Sequence, residues 1–440
     1  MESMTLAEAA PPRTVTMTWN PLERVAFRFC VVYFGLFCVL SQVVNSVLVI
    51  PKLDVPDFGT LPPIRQIVFW VAGHIFGMKT PLVYSGSGSG DKQYDWVLLF
   101  CVLVMSLVVV AVWSALDRKR TAYPALHKWF WLFLRFCLAG QMLTYGFVKA
   151  FPLQMPYPFL SRLIERFGDM SPMGVLWWSV GAAPGYETFV GCAELLGGLL
   201  LIFPRTMTLG ALIALVDMTQ VFVLNMTYDV PVKLLSFHLI LIAGLLLLPE
   251  MRRLADFFFF NRTAAPSAPT PLFEGQRARR IAGGIIAFLW IWMIGNNLYG
   301  AWDNWHQYGP AAAKSPLYGI WKIQDATVDG KPVPMLATDA QMWRTIVFEF
   351  PQYTEIECMD DSHGYSSAVD EKARTIILTD RRNKNWQARF AYTRPAFDRL
   401  ALDGTAAGHH ETLHLARFDE KKFMLESRGF HWVQDYPFNR

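Results

Sequence analysis

The amino-acid sequence predicts a polytopic α-helical membrane protein of about seven transmembrane helices, followed by a soluble antiparallel β-barrel domain at the C-terminal end. Of its 440 residues, 53% are hydrophobic and 17% are charged, which is more apolar than is typical of a soluble fold. Apolar runs of about twenty residues, long enough to cross a bilayer, recur through roughly the first 300 positions. The later residues form short alternating runs with many charges, a pattern typical of β-strands.

The first transmembrane helix is predicted to begin at Asn20-Pro21-Leu22-Glu23, where asparagine caps the helix and glutamate complements its dipole. We expect this helix to run to about Leu48, with Arg28 extending towards the membrane surface. A shorter apolar stretch, from Ile64 to Met78, is flanked by prolines and predicts an interfacial helix. The further spans are predicted at about 95–115, 128–149, 185–203, 206–226, 231–249 and 280–299.

These elements divide the chain into six predicted regions. They are a cytoplasmic N-terminal tail (1–20), the first two transmembrane helices with an extracytoplasmic interfacial helix (21–127), a four-helix core (128–250), a cytoplasmic linker (251–279), the seventh transmembrane helix (280–300) and an extracytoplasmic β domain (301–440).

Lysine and arginine predict the orientation, because these residues resist translocation near the ends of spans. The basic clusters on the side of Arg24 are Asp117-Arg118-Lys119-Arg120, Arg205, Arg252-Arg253 and Arg277 with Arg279-Arg280. We therefore expect a multi-pass protein of the bacterial inner membrane, with a cytoplasmic N-terminus and a periplasmic or extracellular C-terminal domain. The net charge of +4 is modest and not gathered in one patch, which favours the lipid bilayer, not nucleic acid, as the partner.

Several ionisable residues fall inside the predicted spans, where an unpaired charge costs a few kcal/mol. Glu187, Gly191, Glu194 and Gly198 lie on a single helical face, so two carboxylates face a closely packed neighbour. The other members of this predicted cluster are Arg135, Tyr145, Lys149, Asp217, Asn225, Asp229, Lys233 and His238. For each residue, an ion pair that only fixes helix register is an equal alternative to a functional role.

The region from about Leu134 to Leu248 resembles the four-helix core of the DoxX family. The residues that carry the resemblance are Leu134-Arg135, Tyr145-Gly146-x-x-Lys149, Gly185-Tyr186-Glu187, Gly191-x-x-Glu194-x-x-x-Gly198, Asn225 and Tyr228-Asp229-x-x-x-Lys233. The resemblance covers about a quarter of the chain, which also has helices on both sides of this core and a large C-terminal domain. It implies a DoxX-like four-helix core and a link to quinone-coupled oxidation, as in subunits of thiosulfate:quinone oxidoreductase, or an accessory redox role.

The resemblance therefore implies a quinone-linked redox component, in which Glu194 and Asp217 manage protons and Tyr145 and His238 hydrogen-bond a quinone carbonyl. Lys149 and Lys233 would hold carboxylates ionised or stabilise a reduced anion. No ligand pattern for haem, flavin or an iron–sulfur cluster is present, so we expect a lipid-soluble redox molecule or a partner subunit to supply the electrons. The alternative is a non-enzymatic membrane scaffold, transporter or envelope assembly factor.

The C-terminal domain shows eight short alternating runs, from Tyr318–Val328 to Phe423–Phe430, separated by turns such as Asp329-Gly330. Its opening Gly319-Ile320-Trp321 resembles the G-x-W start of lipocalin-like barrels, and Arg428 in the last run is expected to stack on Trp321, as in those barrels. Such a barrel binds a small apolar ligand, docks an envelope protein partner, or is filled by its own side chains.

The segment His410-Glu411-Thr412-Leu413-His414 matches the zinc-protease pattern H-E-x-x-H. That chemistry requires a helix, because only one helical turn brings both imidazoles to a single zinc ion. The surrounding residues alternate as in a strand, which would separate the two histidines by roughly 13 Å. We therefore predict no metal site. The six cysteines include no CxxC pair, so neither a disulfide framework nor a thiol redox centre is predicted.

Overall fold

The computed structural model describes residues 19–439 except 51, 54, 86–89, 265, 267–270, 335–341 and 360. Nearly all of the predicted tail 1–20 lies outside the described residues. The chain forms two compact units. The helical unit comprises Met1–Phe147 and Gly191–Gly300, and the barrel unit comprises Val148–Val190 and Ala301–Arg440. The predicted domain boundaries differ from this division and stay predictions.

The helices are α1 (Pro21–Leu40), α2 (Ile64–His74), α3 (Gln93–Leu116), α4 (Pro124–Ala150), α5 (Leu160–Ile164), α6 (Pro172–Gly181), α7 (Pro184–Ile202), α8 (Met207–Thr227), α9 (Lys233–Leu247), α10 (Met251–Phe258), α11 (Gln276–Gln307) and α12 (Met424–Ser427). The strands are β1 (Gly319–Val328), β2 (Lys331–Val333), β3 (Thr345–Phe350), β4 (Tyr353–Glu357), β5 (Ser362–Asp370), β6 (Thr375–Asp380), β7 (Gln387–Ala396), β8 (Arg399–Ala406) and β9 (His409–Phe418). Short 3₁₀ helices occupy Phe58–Thr60, Phe167–Asp169, Leu248–Glu250 and Glu420–Lys422.

Six helical segments in the described residues are long and apolar enough to cross a membrane, whereas the sequence predicted about seven. They are α3, α4, α7, α8, the continuous stretch Lys233–Phe258, and α11. The first helix, α1, is not among these apolar segments. It has 20 residues, but Glu23, Arg24 and Arg28 all fall within its first turns. The predicted interfacial helix appears as α2, which has 11 residues and is too short to span a bilayer.

The first helix begins as predicted and ends earlier. Asn20 and Glu23 form a reciprocal capping box, with hydrogen bonds of 2.8 and 2.9 Å. The helix stops at Leu40 and not near Leu48. Immediately after it, the Ser41 hydroxyl donates to the Phe37 carbonyl at 2.7 Å, and the chain continues in turns. A hydroxyl that bonds to nearby backbone offers the chain an alternative to further helix, which explains the early end.

Arg28 is buried and does not extend to a surface, so that prediction was wrong. Its side chain is 3% exposed. It donates to the Tyr123 hydroxyl at 2.9 Å, the Ser114 hydroxyl at 2.9 Å and the Asp117 carbonyl at 2.8 Å. These acceptors lie at the end of α3 and in the loop that follows it. A buried guanidinium with several hydrogen bonds fixes the position of α1 along α3.

Glycine residues allow close contact between helices of the helical unit. A Cβ atom at Gly210 would lie 2.7 Å from the Leu201 nitrogen and 2.9 Å from the Gly197 oxygen. A Cβ atom at Gly146 would similarly meet the backbone of Leu195 at 2.9 Å. The backbones of α7 and α8, and of α4 and α7, therefore approach more closely than any larger residue permits.

The C-terminal strands form a closed antiparallel barrel, which confirms the predicted fold of this domain. Strands β1 and β3 to β9 pair in sequence order, and β1 also pairs with β9, so the ring has eight strands. The closing register runs from Ile320 opposite Phe418 to Val328 opposite Glu411, with an irregularity between Ile323 and Asp325. The short β2 pairs with the end of β1 only.

Large apolar side chains fill the barrel interior. Trp321, Phe348 and Phe390 are each completely buried. The same cluster contains Ile346, Ile356, Ile376, Leu378, Leu400, Leu402 and Leu415. Of the alternatives that the sequence left open, the interior therefore matches the barrel that is filled by its own side chains.

Two predictions for the last strand were wrong. Phe423–Phe430 is not a strand, because β9 already closes the ring on β1, and this segment contains the short helix α12 instead. Arg428 does not stack on Trp321; its guanidinium lies 3.9 Å from the ring centre of Phe438. A different arginine, Arg394 on β7, lies 5.7 Å from the Trp321 ring.

Part of the segment between α4 and α7 packs on the outside of the barrel. Leu160 of α5 contacts Ile320 of β1 and Val347 of β3, and all three side chains are buried. Both carboxylate oxygens of Glu349 accept the backbone N–H of Leu160, at 3.2 and 3.1 Å. Burial raises the pKa of Glu349 to about 7, although this hydrogen bond opposes the shift.

Candidate functional site

Arg135 contacts the C-terminal end of α7 and a tryptophan of α11. It donates from one guanidinium nitrogen to the Ile202 carbonyl at the end of α7, at 3.0 Å. The same guanidinium lies 5.9 Å from the ring centre of Trp290 on α11. Arg135 precedes Tyr145 by ten residues on one helix, which corresponds to about 15 Å along the axis. These contacts give Arg135 a structural role at the C-terminal end of α7.

Lys149 and Glu187 both belong to the barrel unit and are both buried. The Glu187 Oε1 atom accepts the backbone N–H groups of Gln154 and Met155, at 3.1 and 2.9 Å. The charge of Lys149 also acts on this carboxylate. Glu187 therefore fixes the loop that follows α4.

His238 is enclosed by aromatic side chains of α1. Its ring stacks on Phe37 at a centroid distance of 3.8 Å. One ring nitrogen lies 2.7 Å from the Leu234 carbonyl, and the other lies 2.9 Å from the Tyr33 hydroxyl. Both nitrogens of this histidine therefore have partners within the protein, and Tyr33 is a neighbour that the sequence did not indicate.

Asn225, Asp229 and Lys233 lie around the turn between α8 and α9. Asn225 donates to the Val232 carbonyl at 3.2 Å and to the Ser236 hydroxyl at 3.1 Å. Asp229 is 85% exposed in its side chain and pairs with Lys233 at 3.0 Å. An exposed pair of this kind contributes little stability, so the turn is held mainly by the buried Asn225.

Tyr145 of α4 contacts the segment that follows α1, for which the sequence predicted no site residue. Its hydroxyl is 3.2 Å from the side-chain nitrogen of Gln42, which follows α1. Glu194 on α7 is completely buried, and its charge acts on Tyr145. Asp217 is half-buried on α8. Of the predicted cluster, the helical unit therefore brings Tyr145 and Glu194 together.

A cavity of about 730 Å³ lies in the helical unit beside Gln42. Its wall includes the end of α1, the connector that follows it, the start of α3 and the start of α9. The apolar part of the wall includes Phe37, Leu98 and Val102. The polar part includes Ser41, Gln42, Asn45, Asp57, Thr60, Tyr84, Ser85, Asp91, Lys92, Tyr94 and Asp95. A cavity of this size with mixed polarity is typical of sites for small amphipathic molecules.

The polar wall is organised by two carboxylates. Asn45 donates to Asp57 Oδ1 at 2.8 Å and to the Val55 carbonyl at 3.1 Å. Asp91 accepts the backbone N–H groups of Lys233 and Leu234 at 2.6 and 2.9 Å, and so caps the start of α9. The side-chain oxygen of Asn45 is buried and has no hydrogen-bond partner among the described residues. Burial of an unpaired acceptor is costly, so this oxygen is the group in the cavity wall that a donor would stabilise most.

Two polar residues of this cavity wall could have been identified from the sequence. Gln42 and Asn45 stand at i and i+3 within the last part of the predicted first span, Pro21 to Leu48, where uncharged polar residues are also expensive. The predicted cluster starts at Arg135 and contains no residue of the first span, so it omits them. Asp57 and Asp91 lie between predicted spans, and only the folded connector brings them to the cavity.

The remaining predicted residues lie in the barrel. Trp321 is completely buried and donates from its ring nitrogen to the Leu317 carbonyl at 2.8 Å, which is a structural contact. His410 and His414 lie on β9, as predicted for a strand. His410 is opposite Thr405, whereas His414 is opposite Ala401. Among the described residues, no three histidine, cysteine or acidic side chains form a group that could hold a metal ion.

Comparison with known proteins gives one similarity of interest. Over 133 residues the chain is 28% identical to the uncharacterized protein YwoB of Bacillus subtilis (strain 168), which covers 28% of this chain and 79% of that protein. No family model matches the chain, and no solved structure matches it. The name of the relative assigns no activity.

Proposed function

We propose that this chain is a multi-pass membrane protein that binds a quinone in the cavity beside Gln42 and takes part in quinone-linked oxidation, as the DoxX-like region implies. The observation that carries the proposal is the hydrogen bond between Tyr145 and Gln42. It joins α4, one of the helices that carry the resemblance, to the wall of the cavity.

The outer faces of the helices support a membrane location. In α3, apolar side chains such as Leu107 and Val108 are 55% and 54% exposed, whereas Ser106 is completely buried. In the most apolar stretch of 18 residues in α11, only 17% is buried within the protein. Water would make such surfaces unfavourable, and hydrocarbon would not.

The orientation follows if α1 also crosses the membrane. Its 20 residues correspond to about 30 Å, the thickness of the hydrocarbon core. Arg28 is one of the charged residues that make α1 less apolar than the six other segments. Its guanidinium is hydrogen-bonded within the protein, which lowers the cost of placing this charge in the membrane. Seven crossings with the arginine-rich ends in the cytoplasm place the C-terminal barrel outside the cytoplasm, in the periplasm of a bacterial inner membrane or outside the cell.

The cavity wall has the chemistry that a quinone requires. A bound quinone accepts two electrons and two protons, and its two carbonyl oxygens accept hydrogen bonds. The amide of Gln42 can donate to one carbonyl, and Phe37 and Leu98 supply apolar surface for the ring or tail. Tyr145 positions Gln42. As the resemblance implies, the buried Glu194 and the half-buried Asp217, which do not line the cavity, would manage protons. His238 hydrogen-bonds Tyr33, so its role here is to support Phe37 by stacking.

The test is mild-detergent extraction of the full chain, followed by mass spectrometry and an absorbance spectrum for bound quinone. We expect co-purified quinone in the wild type and its loss in Gln42→Leu and Tyr145→Phe. Gln220→Leu, at an exposed position of α8, is the matched control and should retain quinone. Folded wild-type protein that contains no quinone and binds none when quinone is added would overturn the proposal.

The second candidate function is a membrane scaffold, transporter or envelope assembly factor, and the barrel is the observation that favours it. Trp321, Phe348 and Phe390 fill the interior of the barrel. We therefore expect the barrel to bind an envelope partner through its outer surface. Purification with a reproducible envelope protein, but no quinone, would favour this function. In the quinone-linked case, the same surface would recruit the electron donor.

A further inference from the structure

Four consecutive phenylalanines stand exposed at the end of α10. Phe257, Phe258, Phe259 and Phe260 are 64%, 63%, 84% and 59% exposed. Each phenylalanine has a large apolar surface, and monomeric soluble proteins rarely expose such surfaces side by side. The position therefore indicates that something other than water covers these rings.

The backbone holds the four rings in place. The N–H groups of Phe259 and Phe260 both donate to the Ala255 carbonyl at 3.0 Å, and the Arg262 N–H donates to the Asp256 carbonyl at 2.8 Å. Asn261 has a φ of 47°, the left-handed conformation that commonly ends helices. The rings thus belong to an ordered helix end, so little further ordering is needed when they are covered.

Arginines flank the phenylalanines. Arg252 lies at the start of α10 and Arg262 follows the aromatic run, and both are exposed. The Arg262 guanidinium lies 5.4 Å from the ring centre of Phe260. Arg253 is partly buried and pairs with Glu250. Two exposed cationic groups beside an aromatic surface match a boundary where hydrocarbon meets negatively charged groups.

The position in the chain identifies that boundary. The apolar helix α9 continues through a 3₁₀ turn directly into α10, so that Lys233–Phe258 is one helical stretch of 26 residues. The apolar helix α9 comes first in this stretch, and α10, with its arginines and phenylalanines, forms the end of it. Its surface is therefore continuous with the lipid-facing surface of the helical unit, which commits the occupant to lipid and not to a protein partner.

We propose that residues 251–262 are an interfacial lipid-binding segment. The four phenylalanines insert at the boundary between headgroups and acyl chains, and Arg252 and Arg262 bind the phosphate of anionic phospholipid headgroups. The segment then fixes the depth and tilt of α9 in the bilayer. This binding is independent of the cavity and of its ligand.

The experiment uses the full chain in nanodiscs of equal parts phosphatidylglycerol and phosphatidylcholine, and counts the retained lipids by native mass spectrometry. We expect the wild type to retain phosphatidylglycerol preferentially. Removal of both charges in Arg252→Gln/Arg262→Gln should weaken that preference roughly 25-fold, from ~1 kcal/mol for each arginine. The control Lys384→Gln/Arg389→Gln removes two exposed charges from the barrel and should retain the preference.

An unchanged preference in Arg252→Gln/Arg262→Gln, or an equal loss in the control, would overturn the proposal. If the variant does not fold, the wild type provides a second measurement. Its thermal midpoint should rise when phosphatidylglycerol replaces phosphatidylcholine, and the rise should disappear in Phe258→Ser/Phe259→Ser. A wild-type midpoint that is the same in both lipids contradicts the proposed lipid binding.

Discussion

The helical unit exposes large apolar side chains on its outer face in addition to a buried apolar core, whereas the barrel strands direct theirs mainly inward. In α3, Val108 faces outward while Ser106 is completely buried. In β7, Phe390 is completely buried while its neighbour Arg389 is exposed. The barrel follows the rule for a protein in water, whereas the outer face of the helical unit is compatible with lipid. The two compact units of one chain therefore differ in the solvent that suits their surfaces.

The two units also pack by different means. The barrel interior is filled by large rings such as Trp321, whereas the helices approach each other through glycines such as Gly210. In lipid, transfer of apolar surface between helices contributes little, so close backbone contact becomes the main attraction. In water, burial of aromatic surface is the largest favourable contribution.

The largest expected effect is the loss of the barrel core in Trp321→Ala. This change leaves a cavity and removes the hydrogen bond to Leu317, so we expect a loss of about 3–5 kcal/mol in barrel stability. Limited proteolysis of the full chain should release fragments from residues 301–440 while the helical unit remains intact. The exposed Trp432 is the control, and Trp432→Ala should leave the barrel resistant to protease. Equal resistance of both variants would contradict the role of Trp321.

The next effect tests the lipid-facing surface. Val108→Lys places a charge on the outer face of α3, which should reduce membrane insertion by about 2.5–3.5 kcal/mol. The measurement is the fraction of protein that resists carbonate extraction from membranes. The matched change on the barrel is Thr393→Lys, at an exposed position of β7, and it should have no effect. Normal insertion of Val108→Lys would show that this face does not contact lipid.

A smaller effect is expected at the helix contact of Gly210. An alanine there would place its Cβ 2.7 Å from a backbone nitrogen of α7, so α7 and α8 must separate at a cost of about 1–3 kcal/mol. Gly244→Ala on α9 is the control, because no atom lies within 4 Å of the added Cβ. The thermal midpoint in detergent should fall for Gly210→Ala only. A similar midpoint for both variants would exclude close packing as the reason for this glycine.

The smallest effect concerns Glu349 and pH. Because burial raises its pKa to about 7 in the folded protein, folding is favoured when the carboxyl group is protonated. This contribution is present below the ordinary value near 4.5 and is lost as the pH rises through about 7. Glu349→Gln should therefore gain stability relative to the wild type over that interval, by at most about 3 kcal/mol.

The measurement for Glu349→Gln is the midpoint of barrel unfolding between pH 4.5 and pH 8, followed by the β-sheet circular dichroism signal. The exposed Glu371 provides the control, since Glu371→Gln should leave the pH dependence of the wild type unchanged. If the wild type and Glu349→Gln change in parallel with pH, Glu349 does not titrate in this interval.

Periodic patterns predicted most elements because they depend on local spacing. The apolar runs gave α3, α4, α7, α8, α9 and α11, and the alternating runs gave β1, β3, β4, β6, β7, β8 and β9 but missed β2 and β5. Two predictions about arginine side chains were wrong because they depend on tertiary contacts. Arg28 finds buried hydrogen-bond acceptors in Ser114 and Tyr123, more than 80 positions away in the chain. Arg394, and not Arg428, reaches Trp321, because the ring closes before Arg428.

By itself, the sequence determined which segments are apolar enough for lipid, which alternate as strands, and which ionisable residues lie inside the helices, because each property depends on residues within a few positions of one another. Only the tertiary structure decided that Gln42, Asn45, Asp57 and Asp91 meet around one cavity, and that Arg135 and Glu187 serve to fix the ends of other elements. Those partners are distant in the chain, and hydrogen bonds and cavities depend on where folding places each atom in space.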